Sequence, residues 1–114
     1  MDKTANLTNL EVENPRLELE NSKGAMIVDF FASWCGPCKM MSPVIERIYE
    51  KYSPDLKVIK VDIDKHGELS SEYQIQSVPT ILFFVDGKVV GHQVGLISES
   101  KLCDMIDSQL ITKK

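Results

Sequence analysis

The stretch FFASWCGPCKMM, residues 30–41, sets Cys35 and Cys38 two residues apart with only Gly36 and Pro37 between them. It also sits where the hydrophobic period changes. Upstream, AMIVDFF (25–31) is a near-continuous apolar, β-branched and aromatic run, the pattern of a strand covered on both faces. Downstream, Met41, Val44, Ile45, Ile48 and Tyr52 recur at spacings of three and four, which predicts an amphipathic helix over 36–52. Cys35 therefore falls at a strand-to-helix junction, where unpaired N–H groups and the positive end of the helix dipole favour thiolate over thiol. Pro37 is compatible with the first turn of a helix, and Gly36 lets the backbone turn tightly and leaves the sulfur uncovered. Cys38 returns beneath Cys35 one turn later. Pro43 removes a backbone donor and is expected to kink this helix.

Working outward, residues 7–12 are weakly strand-like, and Asn14 before Pro15 reads as an N-cap with proline at the first helical position, opening a short helix over 15–22 that Gly24 closes. LKVIKVD (56–62) reads as a strand with Lys60 embedded in it, and 66–73 as a short helix. PTILFFV (79–85) is a buried strand, and Asp86-Gly87 followed by KVVGHQV is a hairpin signature. From Ser98, Leu102, Met105, Ile106 and Leu110 share one helical face. The order β-α-β-α-β-α-β-β-α, without repeat or linker, implies one α/β domain over 1–114, a mixed sheet between helices with an antiparallel last hairpin.

Bulk properties remove several functions. The 114 residues, 43% hydrophobic and 26% charged, are ordinary globular composition. The net charge of −4 is scattered, and no Lys or Arg run is long enough to track a phosphate backbone, so nucleic acid is not an expected partner. The longest apolar stretch, TILFFV, is too short to span a bilayer. The N-terminal MDKTANLTNL has neither the basic and apolar regions of a secretory leader nor the Arg-rich character of a transit peptide. A cytoplasmic protein is expected, a mature form with its leader removed being the alternative.

Spacing alone allows the cysteine pair to be half of a zinc site, a structural disulfide or a reversible redox couple. Zinc takes four ligands, and Cys103, His66 and His92 are not paired at ligand spacing with one another. A disulfide closing so small a loop constrains the unfolded chain little. Three cysteines are an odd number and too few for a secreted framework. The helix-start position favours the redox reading. A stabilised thiolate gains little attack rate, because nucleophilicity falls with pKa, but it favours the reduced form and makes the pair more oxidising. Gly36 and Pro37 add no charge or donor to deepen that stabilisation, so a reductant is the expectation.

With VDFFASWCGPCKMMSP (28–43), VIKVDID (58–64), SVPTILFF (77–84) and Val94-Gly95 in this order, the sequence resembles the thioredoxin family along nearly its whole length. The resemblance implies the thioredoxin fold, a mixed sheet of about five strands flanked by about four helices. It implies that Cys35 is the exposed nucleophile and Cys38 the buried resolving thiol, with Trp34, Gly36 and Pro37 completing the active-site loop. Asp29, a charge in an apolar strand, would exchange the Cys38 proton directly or through water, with Lys60 as its partner; a structural ion pair is the plainer reading. Val78-Pro79, which the sequence by itself would make trans, would be the family's cis-proline loop. Val78, Pro79, Trp34, Gly95 and Leu96 would border a shallow substrate groove. Gly95 also reads as a simple strand-end glycine. Phe31 and Ser33 depart from residues frequent in bacterial members, Phe31 replacing a common tryptophan.

The implied activity is reduction of disulfides in target proteins, such as peroxiredoxins or reductases, through a mixed disulfide. It needs no bound cofactor or metal beyond the reversible Cys35–Cys38 disulfide. Electrons would come from NADPH through a separate thioredoxin reductase, and a monomer is expected. Two alternatives stand beside it: an oxidase or isomerase domain of the same fold, and a non-catalytic docking subunit. Cys103 reads as an inert, half-buried thiol, with a regulatory thiol as the sharper hypothesis; His66 and His92 read as solvated surface residues.

Overall fold

A computed structural model describes residues 10–111. Its elements are α1 (Pro15–Asn21), β1 (Ala25–Phe31), α2 (Gly36–Tyr52), β2 (Leu56–Asp62), α3 (Gly67–Glu72), β3 (Thr80–Val85), β4 (Lys88–Val94) and α4 (Glu99–Gln109). The strands form one sheet in the order β2-β1-β3-β4. β1 pairs parallel with β2 and antiparallel with β3, and β4 pairs antiparallel with β3.

The apolar runs become strands because both faces are covered. Met26, Val28, Phe30, Ile59, Val61, Leu82 and Phe84 meet Leu19 of α1 and Leu69 of α3 on one face. Ile27, Val58, Ile81 and Phe83 meet Met41, Ile45 and Ile48 of α2 and Leu102 and Ile106 of α4 on the other. Side chains alternate along a strand, so Asp29 and Lys60, in register with each other, share the face that α2 covers. The Arg16 guanidinium forks onto the Glu72 carboxylate at 2.6 and 2.8 Å and ties α1 to α3.

The helix starts follow the capping chemistry. Asn14 Oδ1 accepts from the Leu17 amide at 3.4 Å with Pro15 as the first helical residue, and Ser98 Oγ accepts from the Lys101 amide at 3.2 Å. α1 ends at Asn21 with an extended Ser22, so Gly24, at φ +73°, turns the chain into β1 rather than closing the helix.

Among the described residues the sheet has four strands; residues 7–9 of the weak first strand lie outside them, and Glu11 makes an isolated parallel bridge to Lys60. α2 continues through Pro43, its apolar face held against the sheet on both sides of the proline. Val78-Pro79 is cis, and so is Ser53-Pro54, which nothing in the sequence singled out. No helix among the described residues is long and apolar enough to cross a membrane.

Candidate active site

β1 stops at Phe31 and α2 starts at Gly36, leaving Ala32–Cys35 as the connection. The Cys35 amide donates to the Ala32 carbonyl at 3.2 Å, which tightens the turn. Cys35 is the N-cap of α2, with extended backbone, and its Sγ accepts the Cys38 amide at 3.1 Å. The sulfur thus occupies the place an Asp or Ser oxygen takes at other helix starts, where a thiolate gains a charge-assisted hydrogen bond and the helix dipole. Cys35 and Cys38 are joined as a disulfide with their Cα atoms 5.3 Å apart.

The two cysteines differ less in exposure than expected. Cys35 is 5% exposed and Cys38 4%. Both pack with Ala32 against Phe31, Ile63 and Val78, because the N-cap geometry folds the Cys35 side chain back over the first turn. The Val78 carbonyl oxygen lies 3.7 Å from Cys35 Sγ, close enough to accept from the reduced thiol.

The neighbouring residues fall around this pair. Trp34 is two-thirds exposed, and its indole N–H donates to Asp64 Oδ2 at 2.9 Å. Asp64 is itself fixed by its amide donating to the buried Asp62 Oδ1 at 2.9 Å. Pro79 is buried, and its carbonyl accepts the Gly95 amide at 2.8 Å, which carries Gly95 and the half-exposed Leu96 to the edge of the Val78-Pro79 loop. Gly95 has φ +88°, so its glycine meets a backbone requirement of that turn. Gly36 and Pro37 are exposed on the first turn of α2.

Asp29 is fully buried, and neither carboxylate oxygen has a hydrogen-bond partner. Burial pushes its pKa up to about 7, the positive charge of Lys60 opposing the rise. The expected Asp29–Lys60 pair is not a direct contact. The Lys60 ammonium donates to Ser42 Oγ at 2.9 Å and lies 4.6 Å from the centre of the Phe31 ring. It reaches Asp29 through its field, from the adjacent strand.

Away from the site, the Lys51 ammonium of α2 donates at 3.5 Å to Sγ of Cys103, a buried residue of α4. His92 is exposed and His66 is half-buried as the residue before α3. No group of three His, Cys, Asp or Glu among the described residues could hold a metal ion. The sequence reading missed Asp64 and Ser42. Asp64 stands inside the quoted VDID and Ser42 inside MMSP, but a polar residue in a loop or on a helix carries no period signal.

The family model for thioredoxin matches residues 6–108. The chain is 38% identical over 91 residues to thioredoxin of Bacillus subtilis, covering 80% of this chain and 88% of the relative. It is 40% identical over 93 residues to thioredoxin 1 of Synechococcus elongatus (82% and 87%) and 36% identical over 107 residues to thioredoxin C-2 of Corynebacterium nephridii (94% and 99%). A solved structure of a thioredoxin variant from Halobacterium salinarum superposes with a TM-score of 0.79 at 35% identity, covering 91% of this chain and 90% of that one. A disulfide-forming pair at the head of a helix, on this sheet and with these relatives, makes the chain a thiol–disulfide oxidoreductase that belongs to the thioredoxin family.

Proposed function

We propose that the protein reduces disulfides in other proteins, with Cys35 as nucleophile and Cys38 as resolving thiol. The observation that carries this reading is the Cys35 sulfur at the N-cap of α2, accepting the Cys38 amide at 3.1 Å while bonded to Cys38 itself. The Cys35 thiolate attacks one sulfur of the substrate disulfide, and the other leaves as a thiolate that takes up a proton. Cys38 then gives its proton to the ionised Asp29 and attacks Cys35 Sγ, which closes the Cys35–Cys38 disulfide and expels the second substrate thiolate; that thiolate takes up a proton from solvent as Asp29 returns one to it. Two electrons and two protons have passed to the substrate. Resolution is fast because Cys38 is held beside the bond it attacks.

Trp34, Val78, Pro79, Gly95 and Leu96 form the face a substrate segment meets, with the Trp34 ring exposed and braced by Asp64. Lys60 tunes Asp29 through its charge. Recycling needs an external dithiol donor, which we assign to a thioredoxin reductase drawing on NADPH; peroxiredoxins and reductases that cycle through disulfides are the target class. Such chemistry suits a monomer in the reducing cytoplasm. Insulin disulfide reduction is the test. Wild type accelerates it well above free dithiothreitol, Cys35→Ser loses turnover, and Cys38→Ser accumulates the mixed disulfide. A wild-type rate no higher than dithiothreitol alone overturns the assignment.

A further inference from the structure

Ser42 stands one helical turn after Cys38 on α2, and its Oγ takes the Lys60 ammonium at 2.9 Å. That contact is notable for what it leaves undone. Lys60 is the register neighbour of Asp29 on the adjacent strand, facing the same way, and strands lie only about 4.8 Å apart. A half-buried ammonium beside a fully buried carboxylate with two unpartnered oxygens would normally close an ion pair. Here the ammonium is drawn instead to the Ser42 hydroxyl and the Phe31 ring. We propose that Ser42 is a positioning residue: by anchoring Lys60 on α2 it keeps the charge from pairing with Asp29, and so holds the acid in the range where it can exchange a proton with Cys38.

The surroundings of Asp29 leave few other groups to do this. β2 presents Lys60 there and β3 presents Ile81. The buried face of α2 presents Cys38, Met41 and Ile45, none of which carries a titrating group while Cys38 is held in the disulfide. Cys103, the one titratable residue among the buried residues of α4, bonds to Lys51. Glu46 lies one turn beyond Ser42 on α2 with Oε2 buried and unpartnered, so it is the competing destination for a released ammonium.

The consequence for the thiol step rests on the proposed role of Asp29, but the charge arrangement itself can be read without turnover. Asp29 side-chain carboxyl titration by carbon-13 NMR on the full-length oxidised protein is the measurement. In Ser42→Ala the ammonium loses its acceptor and closes on Asp29, and the midpoint falls by about one pH unit or more, the effect of an opposite charge brought within ~4–6 Å. Ser42→Thr, which keeps a hydroxyl at the position, stays close to wild type. In a Lys60→Met background, Ser42→Ala leaves the midpoint where Lys60→Met alone puts it. A midpoint unchanged in Ser42→Ala, including the case where Lys60 moves to Glu46, overturns the proposal. So does a shift that persists without Lys60. If the reductase reading fails in the insulin assay, these titrations stand or fall on their own.

Discussion

Asp29 brings an ionisable group to the centre of the sheet, and its cost to the fold depends on pH. Its pKa is about 7 in the folded protein against 3.8 for an ordinary Asp, so between those values the folded chain binds more protons than the unfolded one. Stability contributed by this group is therefore full at low pH and lost as pH rises from about 4 to about 7. By the usual conversion the loss is roughly 3 to 5 kcal/mol. Asp29→Asn, which cannot ionise, should match wild type near pH 4 and exceed it by about that amount at pH 8, measured by urea denaturation of the oxidised proteins. Equal stability of the two at pH 8 would show that Asp29 is not buried as an acid. The same residue shows what could be read in advance. Asp29 and Lys60 were legible because a charge within an apolar run violates the strand pattern. That Lys60 bonds Ser42 rather than Asp29 was not, since it depends on how α2 lies across β2, which no local pattern encodes. The near-equal burial of Cys35 and Cys38 was hidden for the same reason: the cover comes from Ile63 and Val78, far along the chain.

At the scale of elements, the strands and main helices were legible to within a residue or so, because their periods are set by burial on known faces. The hairpin is the sharpest case. Asp86 at φ +51° and Gly87 at φ +82° are the two left-handed positions that a tight two-residue turn demands, and Asp-Gly supplies them. The turn is also fastened to the start of β1, with the Gly24 amide donating to Asp86 Oδ1 at 2.7 Å and the Asp86 amide donating to the Gly24 carbonyl at 3.0 Å. A Cβ on Gly87 would lie 3.3 Å from the Glu20 carbonyl of α1. Gly87→Ala should then cost about 1–2 kcal/mol from left-handed backbone strain alone, and Gly87→Asn less of that strain, in denaturant titrations at unchanged slope. An alanine variant as stable as wild type would mean that the turn relaxes to another type. The weak first strand was the least legible element: residues 7–9 lie outside the described residues, and among those described Glu11 bridges the β2 edge in isolation.

At the scale of the whole molecule, β1 and β3 serve two cores at once. Phe83 points into the α2/α4 layer and Phe84 into the α1/α3 layer, both with no exposure, from adjacent positions on one strand. Truncating either leaves a cavity worth about 3–5 kcal/mol, a large part of the roughly 5–15 kcal/mol that holds a domain folded. Because the layers share their central strands, neither can open alone without unpairing the sheet, so the chain should unfold as one unit. Two reporters sit on different sides of this argument. Trp34 fluorescence follows the active-site end, and the Tyr73 ring, edge-on to Phe84 with centroids 5.7 Å apart, follows the α1/α3 layer in NMR spectra. In Phe83→Ala, whose cavity lies on the opposite face from Tyr73, both reporters should lose their native signals at the same, lowered urea midpoint, and Phe84→Ala should lower the Trp34 midpoint by a comparable amount. A Tyr73 transition left at the wild-type midpoint in Phe83→Ala would divide the molecule into separately stable layers. The active site would then depend only on the α2 layer that holds Cys35, Cys38 and Ser42. In a single cooperative unit, by contrast, damage to the distant α1/α3 layer costs disulfide reduction wherever it costs the fold.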